Sequence, residues 1–176
     1  MLLESLAQFL ATIFQPMFIV AAGAALAVIL PGIGSAKAVG RAGEAVAGLM
    51  SNDPDKFGQA LALNILPATQ GIYGFVVAFM VMISTGVLGG NTIVTLPAAL
   101  YMFGACLPIA IAGYASAIAQ GKTAVAGINM VAKHPEASGK AITSTALVET
   151  YAILALLVSV LMILNMPEAL NVVAAA

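Results

Sequence analysis

The sequence predicts an all-α membrane protein, with four transmembrane helices arranged as two tandem hairpins of the same orientation. Three observations lead there. First, of 176 residues 62% are hydrophobic and only 7% charged. A soluble domain of this size cannot bury that much apolar surface, so the bilayer is its solvent. Second, the charges leave long uncharged stretches: Ser5 to Ala36, Phe57 to Gly121, and Ala141 to Pro167 interrupted only by Glu149. Third, the chain matches itself without a gap when shifted by 81 residues, so that Gly32 falls on Gly113 and Pro54 on Pro135.

The first span is read as Phe14–Gly48. Ahead of it, "MLLESLAQFL" carries an acidic residue and no basic one, which argues for a retained first helix rather than a cleaved signal peptide. The second span, Phe57–Leu88, ends in "STGVLGGNT" (Ser84 to Thr92), where glycines and Asn91 mark a turn. The third is Leu96–Val131 and the fourth Gly139–Asn165. All exceed the roughly 20 residues a span requires, so they tilt or project beyond the bilayer. The expectation is a single membrane domain over 1–176, with repeat 1 at about 14–90 and repeat 2 at about 95–166.

All six Lys and Arg lie in 37–56 and 122–140. Positive charge marks the cytoplasmic side, which puts both charged turns inside and both termini outside. A net charge of −1 gives no electrostatic case for nucleic acid. The single cysteine, Cys106, excludes an intrachain disulfide and reads as a small packing residue. His134 lies in a polar turn and is assigned no chemistry. There is no nucleophile–base pair, metal cluster or phosphate-binding glycine loop, so the chain is read as non-catalytic by itself and as binding no nucleotide.

Between Gly32 and Phe75, 12 of 44 positions are identical to those 81 residues later, including Gly58/Gly139 and Thr69/Thr150. Each unit holds two helices, so the copies are parallel, and parallel hairpins side by side around an axis extend into a ring. The first helix of each unit carries small residues every fourth position: Gly32, Ala36, Gly40 and Gly113, Ala117, Gly121. Such spacing lets backbones approach closely, giving thin inner helices and thicker outer ones.

Glu149 lies inside the fourth span, where a carboxylate costs at least about 2.5–3.5 kcal/mol, so it defaults to function. Gln120 precedes the His134–Pro135 turn by as many residues as Glu149 follows it, which makes the two level in a straight hairpin. Their counterparts in the first repeat are Val39 and Ala68, both apolar, so the polar pair occurs in one copy only and points to joint action. Thr69 and Gln70 follow Ala68 and lie at the same depth, as ion ligands or as polar helix–helix glue. Pro67 takes the backbone donor from the Leu63 carbonyl and distorts the helix there. Tyr73, one turn after Thr69, is either a hydrogen-bond donor to the carboxylate or a packing aromatic. Lys37 is the nearest cation, but it sits on the other repeat, so a bound cation or a proton is the simpler neutraliser. With one charge available, a monovalent ion leaves the site neutral.

With "LPATQGIYGF" (Leu66–Phe75), "ALVETYAILALL" (Ala146–Leu157) and "AIAQGK" (Ala117–Lys122) on duplicated hairpins, the chain resembles subunit K. This is the c-type rotor proteolipid of prokaryotic V-type (A/V-type) ATPases, and the sodium-translocating members are closest. The likeness runs from about Phe14 to Asn165. It implies a homo-oligomeric rotor ring with one Na+ site per chain, its ligands falling on the Leu66 backbone carbonyl, Thr69, Gln70, Gln120 and Glu149. Tyr73 falls on the tyrosine that hydrogen-bonds the glutamate. One departure is Ala68, where glycine is common. The resemblance further implies a lipid-embedded ring, a stator protein with an essential arginine, and a central stalk, with the turns at 50–57 and 131–139 as its docking surface. H+ in place of Na+ is the alternative within this class. An oligomeric channel, with Glu149 hydrated, is the alternative outside it.

Overall fold

The computed structural model describes residues 2–13, 15–89 and 94–170, and among these the regular structure is entirely helical. Helix α1 (Leu2–Ile13) precedes the long α2 (Pro16–Met50). A short 3-10 turn, Pro54–Lys56, leads into α3 (Phe57–Ile65), a second 3-10 turn at Leu66–Ala68, and α4 (Thr69–Ser84). Helix α5 (Leu96–Lys133) and α6 (Ser138–Leu164) form the second hairpin, joined by the 3-10 turn Pro135–Ala137. Four segments are long and apolar enough to cross a membrane: Pro16–Met50, Pro54–Ser84, Leu96–Lys133 and Pro135–Leu164. At about 1.5 Å per residue, α2 and α5 are longer than the roughly 30 Å hydrocarbon layer.

Local chemistry sets the ends. Gln15 is extended (ψ 136°) and Pro16 takes the first helical turn of α2, where a missing N–H costs nothing. This separates α1, which the sequence reading did not resolve as a helix of its own. At the other end of α2, the side chains of Ser51 and Asn52 bond the Ala47 and Gly48 carbonyls. The turn after α4 uses Gly86 at φ 72°, a left-handed conformation that favours glycine. The rest of the expected turn, Gly90 to Thr92, lies outside the described residues, as does Phe14. Thr95 caps α5, its hydroxyl accepting from the Ala98 N–H at 3.2 Å.

The small-residue helices α2 and α5 pack along most of their length, with α4 and α6 behind them. Gly113, Ala117 and Gly121 are buried in that seam as expected. A Cβ on Gly121 would stand 2.8 Å from the Ala38 Cα, closer than side chains tolerate. On α2 the expected face is corrected. Pro31, Gly34, Ala38 and Ala42 are buried, whereas Ala36 and Gly40 are exposed, and a Cβ on Gly32 or Gly40 would meet nothing within 4 Å. Gly34, Ala38 and Ala42 repeat every fourth residue just as Gly32, Ala36 and Gly40 do, so spacing alone does not say which set meets α5. Helix α4 comes closest to α2 at Gly74, where a Cβ would lie 2.0 Å from the Ala27 carbonyl oxygen. That oxygen is the one whose helical donor Pro31 removes.

The apolar core falls in two halves. One gathers Val20, Ala27, Val77, Val81, Met102, Cys106 and Ile109, with Cys106 fully buried as expected. The other gathers Val46, Leu63, Ala124, Ile128 and Val131 toward the charged turns. Buried polar side chains lie between the two: Ser35, Gln70, Ser116, Gln120 and Thr145. At the turns, Lys56 donates to the Ala132 carbonyl at 2.9 Å and pairs with Asp53 at 2.9 Å, tying one turn to the other.

Candidate functional site

Proline at position 67 prevents a continuous second helix. The chain passes from α3 into the 3-10 turn Leu66–Ala68, and α4 starts afresh at Thr69. The Leu66 carbonyl accepts both the Thr69 N–H and, at 3.1 Å, the Thr69 hydroxyl. A fresh helix start leaves early N–H groups without intrahelical partners, and Gly71 N–H finds the Ser35 hydroxyl of α2 at 3.0 Å.

Gln70 and Tyr73 therefore sit in the first turns of α4, aimed at the second hairpin. Gln70 is fully buried. Its Nε2 donates to Gln120 Oε1 at 2.5 Å and to Ser116 Oγ at 3.4 Å, both on α5. Gln120, also fully buried, uses its own Nε2 on the Thr145 carbonyl of α6 at 3.2 Å. Tyr73 donates its hydroxyl to Glu149 Oε1. Tyr73 fills both expected roles, since its ring also packs against the apolar core. Among the described residues no lysine or arginine pairs with Glu149, and Lys37 is exposed on α2. His134 is exposed in its turn, against Glu136 at 3.1 Å.

The structure thus brings together residues from both repeats, with Leu66, Thr69, Gln70 and Tyr73 from the first and Gln120 and Glu149 from the second. Gln120 and Glu149, expected to act jointly, each have their own partners. Gln120 bonds Gln70 and the α6 backbone, while Glu149 is held by Tyr73. Two participants were missed in the sequence. Ser116 and Thr145 each lie one helical turn before a residue that was noticed, Gln120 and Glu149. Ser116 is also an identity of the repeat, matching Ser35.

One atom is conspicuous chemically. Gln70 Oε1 is buried and has no hydrogen-bond partner. An unpaired buried acceptor costs about 1–3 kcal/mol, and a positively charged ligand relieves it. The same helix junction carries a carboxylate held by Tyr73, a hydroxyl on the Leu66 carbonyl at the helix break, and the Gln120 amide, which are oxygen groups of the kind hard cations take. The outward faces of α4 and α6 are apolar and exposed, with Ile72, Phe75, Leu147 and Leu154 each more than half accessible, as suits lipid.

Fold and site together define a class: a membrane protein of duplicated helical hairpins sharing one carboxylate at membrane depth. The chain belongs to the family of ATP synthase C subunits, whose model matches residues 22–81 and again 103–162, the same 81-residue offset as the internal repeat. It is 52% identical, over 80% of its length and 87% of the relative's, to the V-type sodium ATPase subunit K of Enterococcus hirae. To the A-type ATP synthase subunit K of Methanocaldococcus jannaschii it is 39% identical, over 86% of this chain and 64% of that one. It is accordingly a multi-pass membrane proteolipid of a rotary ATPase and not itself a catalytic component.

Proposed function

We propose that this chain is a rotor-ring subunit of a V-type ATPase that carries Na+ across the membrane at Glu149. The observation that carries the ion assignment is the buried, unpartnered Gln70 Oε1 on the helix junction that also brings Thr69, Gln120 and Glu149. A protonated carboxyl needs one acceptor and an apolar pocket. Sodium instead satisfies several oxygens at once and cancels one negative charge. Its ligands are Glu149, Gln120, Thr69, Gln70 and the Leu66 carbonyl, and Tyr73 holds the carboxylate. The sodium ATPase named among the relatives supports the same ion.

Identical copies form the ring, each bringing one site to the lipid-facing surface. Neutralised Glu149 can face hydrocarbon, whereas the bare carboxylate cannot without a cost of about 2.5–3.5 kcal/mol. A stator protein with an arginine opens the site to water, where the ion exchanges. Each ion moved against 100 mV requires about 2.3 kcal/mol, supplied through rotation. The lysine and arginine distribution supports cytoplasmic turns at 50–57 and 131–139, docked on the central stalk, with both termini outside.

The test is carbodiimide labelling of Glu149 in the isolated ring. Millimolar sodium should slow labelling, and Gln120→Leu or Thr69→Val should weaken that protection while leaving labelling itself intact. If sodium leaves the labelling rate unchanged at every pH, the ion is the proton and the polar cluster is structural.

A further inference from the structure

Resting on the sodium site proposed above, we propose that Ser116 is a positioning residue that fixes which end of the Gln70 amide faces the ion. A glutamine side chain has one accepting and one donating end of nearly equal shape, so a cation site must specify its orientation. The bonds here run in one direction. Ser116, 6% exposed, gives its single hydroxyl proton to the Val148 carbonyl of α6 at 3.0 Å. Toward Gln70 it can then only accept, and it does so from Nε2. Gln120 is polarised the same way: its amide N–H goes to the Thr145 carbonyl, which leaves Oε1 to accept from Gln70. Two α6 carbonyls, neither able to donate, therefore dictate through two α5 side chains that Gln70 Nε2 turns inward. Oε1 is left as the free end, buried and unpaired.

The repeat supports this assignment. Ser35 is the counterpart of Ser116 and accepts from the Gly71 N–H, the residue after Gln70. One duplicated serine thus holds the Gln70 segment by its backbone, and the other holds its side chain.

The experiment measures binding of radioactive sodium to the intact detergent-solubilised ring. Ser116→Ala should weaken affinity about tenfold, the worth of one lost hydrogen bond of this kind. Ser116→Cys should also lose affinity, because sulfur accepts weakly, and this variant reports if the alanine ring fails to assemble. Gln70→Ala should weaken binding further, and adding Ser116→Ala to it should change nothing more, because Ser116 acts through Gln70. A merely structural serine would give additive losses, and that result overturns the proposal. So does a Ser116→Ala ring that binds sodium like the unaltered one. If the unaltered ring binds no sodium, the site reading falls and this inference with it, a separate result from either of the others.

Discussion

Gly74→Ala is the substitution whose consequence the geometry fixes most tightly. The added Cβ would stand 2.0 Å from the Ala27 carbonyl oxygen and 2.6 Å from Pro31 Cγ. The closest ordinary C···O separation is about 3.3 Å, so α4 must retreat by roughly 1.3 Å or α2 must bend. Neither obstacle is a flexible side-chain tip, since one is backbone and the other a proline ring. Overpacking costs about 1–3 kcal/mol, and a rigid obstacle belongs at the upper end. Alanine returns at most about 1 kcal/mol of helix propensity, which leaves a net loss of about 2 kcal/mol. The retreat also draws Tyr73, the preceding residue, away from Glu149 and Gln70 away from α5. The assay is thermal unfolding followed by circular dichroism in one detergent, with sodium binding measured on the same preparation. The variant should melt earlier and bind sodium at least tenfold more weakly. A variant that matches the unaltered protein in both would refute the close approach of α4 to α2.

Three further outcomes are expected. Glu149→Gln should leave the ring assembled but abolish ion transport in reconstituted vesicles, because the amide has the carboxylate's shape without its charge. Counting bound sodium should give one ion per chain, since Val39 and Ala68 stand where the second repeat has Gln120 and Glu149; two per chain would contradict that reading. Tyr73→Phe removes a hydrogen bond to a charged group, worth about 1.5–3 kcal/mol, so sodium release should quicken by roughly 10- to 100-fold in a filter-binding time course.

Much of this was legible in the sequence because a membrane forces simple choices. Each span contains a long run free of basic residues, and the expected boundaries differ from the observed helices by a few residues. Duplication did more: comparing Ala68 with Glu149 and Val39 with Gln120 isolated the polar residues from an apolar background. The remainder needed coordinates. Small residues recur every fourth position on two faces of α2, and only packing distinguishes Gly34 and Ala38 from Gly32 and Gly40. Ser116 and Thr145 look like ordinary membrane-helix polar residues, and Thr145 contributes through its backbone, which side-chain identity does not encode. How Gln120 and Glu149 are each held was not legible either, since level residues on adjacent helices need not point at each other.

The Lys56 bridge has a mechanical consequence. Apolar packing of α2, α3 and α5 already joins the two hairpins at this end, and the bridge adds a polar tie between the charged turns themselves. With Nζ fastened to the Ala132 carbonyl across the gap and to Asp53 on its own side, a displacement of one turn is passed to the other. The load then divides between α3 at the first turn and α5 at the second, and α5 also carries the side chains that orient the site. Stiffness at this end of the molecule becomes fidelity at its middle: a displacement at the turns moves together the two hairpins to which Gln70 and Glu149 separately belong.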